Sequence, residues 1–143
     1  MVLVSCVDVV CTRKYWIGFG RNGESSKVIE IKVTGGKQHE RFITRSVVTW
    51  CKEYFHLNSI SNINIRLEKH IDCWGYCLEG KEEHSYNIKI ATNQKLRDFI
   101  ATIVHEMVHV MQWETGTWSG EGEREANKLQ YKLTDKLWED GIL

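Results

Sequence analysis

Between Gln94 and Thr115 the chain carries one unbroken helical pattern, with Leu96, Phe99, Ile100, Ile103, Val104, Met107, Val108 and Met111 recurring every three or four residues. At about 100° per residue these side chains fill one broad arc, which other parts of the chain must cover. Thr92-Asn93 precede the pattern as a candidate cap, and Gly116 follows it as a stop. A helix with so wide an apolar face has to be the centre of a core. On its opposite arc stand His105 and His109, with Ala101 and Thr102 one turn earlier, small enough to leave room for a ligand or another helix over the imidazoles.

The remaining segments supply strands and two more helices. Val2–Val10, Tyr15–Phe19 and Lys27–Val33 read as strands, and Gln38–Phe55 changes to helical spacing through Phe42, Ile43, Val47, Trp50, Cys51 and Tyr54. Ile63, Ile65 and Leu67 alternate with polar neighbours, as do Tyr86, Ile88 and Ile90. Between them Cys73–Leu78 reads as a strand and Glu79–His84 as a polar hairpin turn; a last helix spans about Glu121–Glu139. The order is β-rich, helix, β-rich, helix, helix, which predicts a single α+β domain over residues 1–143.

Composition excludes more than it selects. Lys plus Arg (19) equals Asp plus Glu (19), so there is no bulk pull toward nucleic acid or an anionic membrane. No run approaches the roughly 18 apolar residues of a spanning helix. Met1–Cys11 is apolar, but it lacks a basic leading region, contains Asp8 and is followed by Arg13-Lys14, so it reads as a strand and not as a signal peptide. The 5 cysteines, an odd number, and the lack of Asn-x-Ser/Thr predict a reducing, cytoplasmic setting. Cys73 and Cys77 on one strand would lie about 13 Å apart, too far to share an ion, and read as core or half-buried thiols.

His105-Glu106-Met107-Val108-His109 is a His-Glu-x-x-His motif on a helix. The imidazoles are offset by about 40° around the axis and about 6 Å along it, so both reach one metal ion from the same face. Glu106 lies beside them, where it can take a proton from a metal-activated water. A catalytic zinc takes three protein ligands. No His follows His109, and Gln112 and Thr115 stand where a metzincin needs Gly and His, so the candidates for the third ligand are the acids Glu114, Glu121, Glu123 and Glu125. On the last helix Glu121, Arg124, Glu125, Lys128, Lys132, Asp135, Lys136 and Glu139 form a solvated arc. Glu123 falls in the remaining arc with Ala126, Asn127, Leu129, Gln130, Leu133, Leu137 and Trp138, and a carboxylate there needs a partner such as a metal. Glu123 is therefore the expected third ligand, with Glu125 second, and Asn127, one turn on, is the expected acceptor for a ligating imidazole N–H.

His105-Glu106-x-x-His109 followed by Glu123-x-x-Ala126-Asn127 resembles the gluzincin pattern of zinc peptidases, and Glu123-Arg124-Glu125-Ala126-Asn127 is similar to the ImmA/IrrE-like peptidases. Trp74-Gly75-Tyr76 through Ile88-x-Ile90 to the motif looks like the SprT-like peptidases, which take a His as third ligand. The resemblance covers roughly residues 73–130. It implies a zincin-like fold in which a mostly antiparallel sheet packs against the active-site helix, a C-terminal helix supplies the third ligand, and an edge strand, Cys73–Leu78 or Ser85–Ile90, holds an extended peptide.

The expected function is zinc-dependent hydrolysis of a peptide or protein substrate by a monomer, with Glu106 as general base to a zinc-activated water. Tyr131 and His84 are candidate oxyanion stabilisers, and Trp113 and Trp118 candidate cleft walls. The alternative is a catalytically silent, metal-stabilised binding or sensor module with the same fold.

Overall fold

The structure, a computed structural model, describes residues 29–117 and 122–143. The strands expected at Val2–Val10 and Tyr15–Phe19, together with Trp118 and Glu121, lie outside the described residues. The elements in order are β1 (Glu30–Gly35), α1 (Gln38–Tyr54), β2 (Asn62–Glu68), β3 (Gly75–Glu79), β4 (Ser85–Ala91), α2 (Leu96–Thr115) and α3 (Gly122–Glu139). The architecture is α+β, with a four-stranded sheet ordered β1-β2-β4-β3. No helix among the described residues is long and apolar enough to cross a membrane.

The sheet is mixed, which corrects the expectation of a mostly antiparallel one: β1–β2 and β2–β4 are parallel, and β3–β4 is antiparallel. The cause lies in the connections. Helix α1 returns the chain to the start of β2, which makes β1 and β2 parallel neighbours. Strand β3 then takes the place beyond β4, and the turn back from it sends β4 alongside β2 in the same direction. Period-two alternation names the buried face of a strand and is silent on its neighbour's direction.

Ile63, Ile65, Leu67, Ile88 and Ile90 join Val47, Val48, Ile100, Val104 and Leu133 in one buried core. At the end of β1 the close parallel pairing demands glycine. Gly35 has φ +77°, and a Cβ there would stand 2.2 Å from the Leu67 carbonyl oxygen. The chain then turns into α1, where the Lys37 N–H donates to Glu40 Oε1 at 2.7 Å.

Helix α2 starts at Leu96 with Lys95 at its N-cap, two residues later than expected, and no side chain caps it. Thr92 and Asn93 belong to the preceding loop: the Thr92 N–H donates to the Glu68 carbonyl. At the other end Gly116 adopts φ 70° in the left-handed region, and the N–H groups of Gly116 and Thr117 satisfy the carbonyls of Trp113 and Gln112. Every residue from Phe99 to Val110 is buried. The apolar arc predicted from sequence is thus only part of the buried surface, because α2 packs against α1, α3, β3 and β4 at once. Gly75 of β3 approaches so closely that a Cβ would lie 2.7 Å from Thr102 Cγ2. On α3 the buried residues Gly122, Ala126, Gln130, Leu133, Thr134 and Leu137 form one helical face. Extensive packing between α3 and α2 sets that face over the histidine arc.

Cys51 and Cys77 are buried free thiols. Cys73 is disulfide-bonded and not the thiol expected from its strand position, so cysteine usage no longer supports a reducing setting.

Candidate metal centre

The crossing of α2 and α3 brings His105, His109 and Glu123 together, with ligand atoms within 4.8 Å of one another. His105 Nε2 lies 3.0 Å from Glu123 Oε1, and His109 Nε2 lies 3.2 Å from Glu123 Oε2. The two Nε2 atoms are 3.2 Å apart. Ligands about 2 Å from a shared tetrahedral ion stand at about this mutual distance. His105 and His109 are 1% and 0% exposed, and Glu106 is 0% exposed. The Glu123 side chain, at 26%, is the one member of the triad that reaches solvent appreciably.

The network around His109 fixes which of its nitrogens carries the proton. Gln112 Nε2 donates to the Gly122 carbonyl at 2.9 Å and to Glu125 Oε1 at 2.8 Å. Both partners are acceptors, so the amide nitrogen must face them and Gln112 Oε1 must face His109. His109 Nδ1 therefore donates to that oxygen, at 2.9 Å. His105 Nδ1 lies 2.8 Å from Gln130 Oε1, the other amide oxygen at the crossing. With both Nδ1 atoms turned to amide oxygens, both Nε2 atoms face the Glu123 carboxylate, an arrangement that suits a cation between them.

Titration behaviour agrees with one proton held in common. Burial pulls the His105 imidazole down, but the hydrogen bond to Glu123, the charges of Glu106 and Glu123, and Gln130 outweigh it and hold it above its ordinary value. His109 sits below its ordinary value: burial and the charge of His105 prevail over Glu123 and Gln112. Burial raises the Glu123 carboxyl, yet hydrogen bonds from His105 and His109 and their charges bring it down to about 2. In the metal-free protein His105 therefore carries the extra proton and Glu123 the charge that balances it. The stabilisation from Glu123 is present above its ordinary range and lost as pH falls toward 2. That from His105 is full below about pH 6.5 and lost as pH rises through its raised value.

A metal ion must displace this proton. Its apparent affinity is expected to fall by about tenfold per pH unit below the His105 value, for one proton released. Zinc competition titrations between pH 6 and 8 check this, and a pH-independent affinity would contradict it.

The structure separates the expected residues. His105, Glu106, His109 and Glu123 share one helix crossing. Asn127 is exposed, and the acceptor positions at the imidazoles belong to Gln130 and Gln112, which corrects its assignment. One turn beyond Glu123 the helix face toward α2 is occupied by Ala126, and Asn127 has rotated past it. Glu125 is exposed and receives Gln112 Nε2, outside the triad. Sequence reasoning placed Gln130 on the buried arc of the last helix without drawing the consequence that a buried amide needs a partner. Gln112 gave no such signal, because its role depends on where α3 begins.

Both candidate oxyanion stabilisers have carboxylate partners of their own. The Tyr131 hydroxyl, pushed up to about 12 by burial and by Asp98, donates to Asp98 Oδ1 at 2.7 Å, near the start of α2. His84 Nδ1 pairs with Glu114 Oε2 at 2.9 Å and its Nε2 with Glu83 Oε1 at 3.2 Å. Glu114 also accepts from the Tyr86 hydroxyl, whose pKa burial and Glu114 drive upward. Trp113, one turn beyond His109, stacks on Tyr86 at 5.7 Å and, with His84 and Glu114, lines a cavity of about 520 Å³.

No protein-family model, curated protein or solved structure matches the chain.

Proposed function

We propose that this chain is a zinc-dependent metallopeptidase with a zincin-like fold of gluzincin type, holding zinc through His105, His109 and Glu123. The observation that carries this is the convergence of two imidazole Nε2 atoms and one carboxylate on a single point. Nitrogen and oxygen donors in a three-residue set suit zinc and leave a coordination position for chemistry. When bound, zinc supplies a Lewis acid that polarises the scissile carbonyl and acidifies a water. Glu106 takes the proton of the attacking water and returns it to the leaving amine. Its position inside the crossing, sheltered from bulk water, strengthens its electrostatic influence on that step.

Substrate alignment favours β3, which stands at one end of the four-stranded sheet among the described residues. Ser85–Ile90 is not available for this task, since β4 is hydrogen-bonded on both sides. The cavity beside Trp113 and Tyr86 begins about one helical turn past His109, within reach of a residue flanking the cleaved bond.

One observation favours the alternative. The imidazoles and Glu106 are almost wholly enclosed, as suits a metal that stabilises a binding or sensor module. Hydrolysis of an unstructured protein substrate, measured with zinc and with a chelator, separates the two. Chelator-sensitive hydrolysis restored by zinc is the expected result; zinc bound in stoichiometric amount without hydrolysis would leave only the silent module.

A further inference from the structure

We propose that Gln112 is a positioning residue that couples the seating of the third ligand to the orientation of the second, an inference that presupposes the metal centre. Its carboxamide is 1% exposed and works on three sides. Oε1 accepts from His109 Nδ1 at 2.9 Å, while Nε2 donates to the Gly122 carbonyl at 2.9 Å and to Glu125 Oε1 at 2.8 Å. Gly122 immediately precedes Glu123, and Glu125 is two residues beyond it. One side chain on the histidine helix thus grips the first turn of the ligand helix on both sides of its ligand.

Gln130 makes a useful contrast. It accepts from His105 Nδ1 at 2.8 Å, but it comes from α3 two turns past Glu123 and orients an imidazole without fixing the end of its helix. A small displacement of the first turn of α3 would move a carboxylate off a metal. The amide is also a neutral group that donates and accepts at once. A carboxylate at position 112 could still accept from His109, but it would face the Gly122 carbonyl and the Glu125 carboxylate with no proton to give. The same grip means that metal binding and the docking of the first turn of α3 form one event. Binding zinc should slow the opening of that turn, and undocking the turn should release zinc.

Gln112→Ala, Gln112→Glu and the swapped pair Gln112→Glu/Glu125→Gln separate the roles. In the swap the amide at 125 donates to the carboxylate at 112, which restores that bond with its direction reversed. Zinc affinity by chelator competition, the visible spectrum of the cobalt-loaded protein, and amide exchange at the start of α3 are the readouts. Gln112→Ala is expected to weaken zinc binding by about 10–100-fold and to shift the cobalt spectrum. Gln112→Glu should weaken it comparably, and the swapped pair should recover part of the loss. In the wild type, zinc should slow exchange at the first turn of α3, and in Gln112→Ala it should not.

Wild-type zinc affinity in all three variants, or recovery absent in the swapped pair while Gln112→Glu is impaired, would overturn the role of Gln112 and leave the metal centre standing. A wild-type protein that binds neither zinc nor cobalt would overturn both. The single and swapped carboxylate variants conserve side-chain size, so they report even if Gln112→Ala does not fold.

Discussion

Glu106→Gln is expected to leave zinc bound and to lower peptide hydrolysis by about 10²–10⁴-fold, the range that a general base contributes. Glu106 occupies the helix position beside His105 and is 0% exposed. The amide is nearly isosteric with the carboxylate, so the substitution neither opens a cavity nor loosens the α2 packing. It removes a carboxylate beside the triad that can take a proton from water without serving as a ligand. Its charge also contributes to raising the His105 value. The variant should therefore release the shared proton more readily, and zinc affinity near neutral pH should be equal to that of the parent or slightly higher. Zinc content by elemental analysis and single-turnover hydrolysis measure the two halves of this result. Retained activity would remove Glu106 from its role.

The second large effect concerns stability. Zinc binds the folded chain and finds no preformed triad in the unfolded one, so binding energy becomes folding energy. At a free zinc concentration a thousand times the dissociation constant, the folded state should gain about 4 kcal/mol. At about 2–4 °C per kcal/mol for a chain of this size, the melting temperature should rise by roughly 10 °C. Glu123→Gln should lose most of this rise. Its amide cannot take the place of a carboxylate that the two imidazoles hold down at about 2. Without zinc the variant should also melt lower than the parent between about pH 4.5 and 6.5, where the charge of Glu123 balances the proton on His105. Thermal melts of both proteins with zinc and with chelator give all four values. Equal zinc shifts in the two would show that Glu123 is no ligand.

How much of this was legible beforehand depends on the range of each interaction. His105, Glu106 and His109 are set by helix periodicity, so spacing alone places them on one helix. Glu123 was legible because it stands apart from the charged arc of its own helix, and the structure places it against both imidazoles. Asn127 was assigned by the same one-turn logic and fails, because it is exposed while Ala126, Gln130 and Leu133 hold the buried face of the helix. A partner on another element is fixed by how two helices cross, and no single-helix wheel contains that angle. The same limit applies to the sheet. Ile63, Ile65 and Leu67 announced a buried face, but their parallel partners Tyr86, Ile88 and Ile90 follow from a chain route through α1 and β3 that alternation does not encode. Gln112 is the extreme case: its three partners lie on two helices, and its role exists only once the folded chain has brought them together.

The most direct measurement is the anomalous scattering of zinc in crystals grown with the metal, recorded on both sides of its absorption edge. The expected map has one peak that vanishes below the edge, about 2 Å from His105 Nε2, from His109 Nε2 and from a Glu123 carboxylate oxygen. No peak at that crossing, or a peak held by other side chains, would contradict the metal centre and the peptidase function built on it.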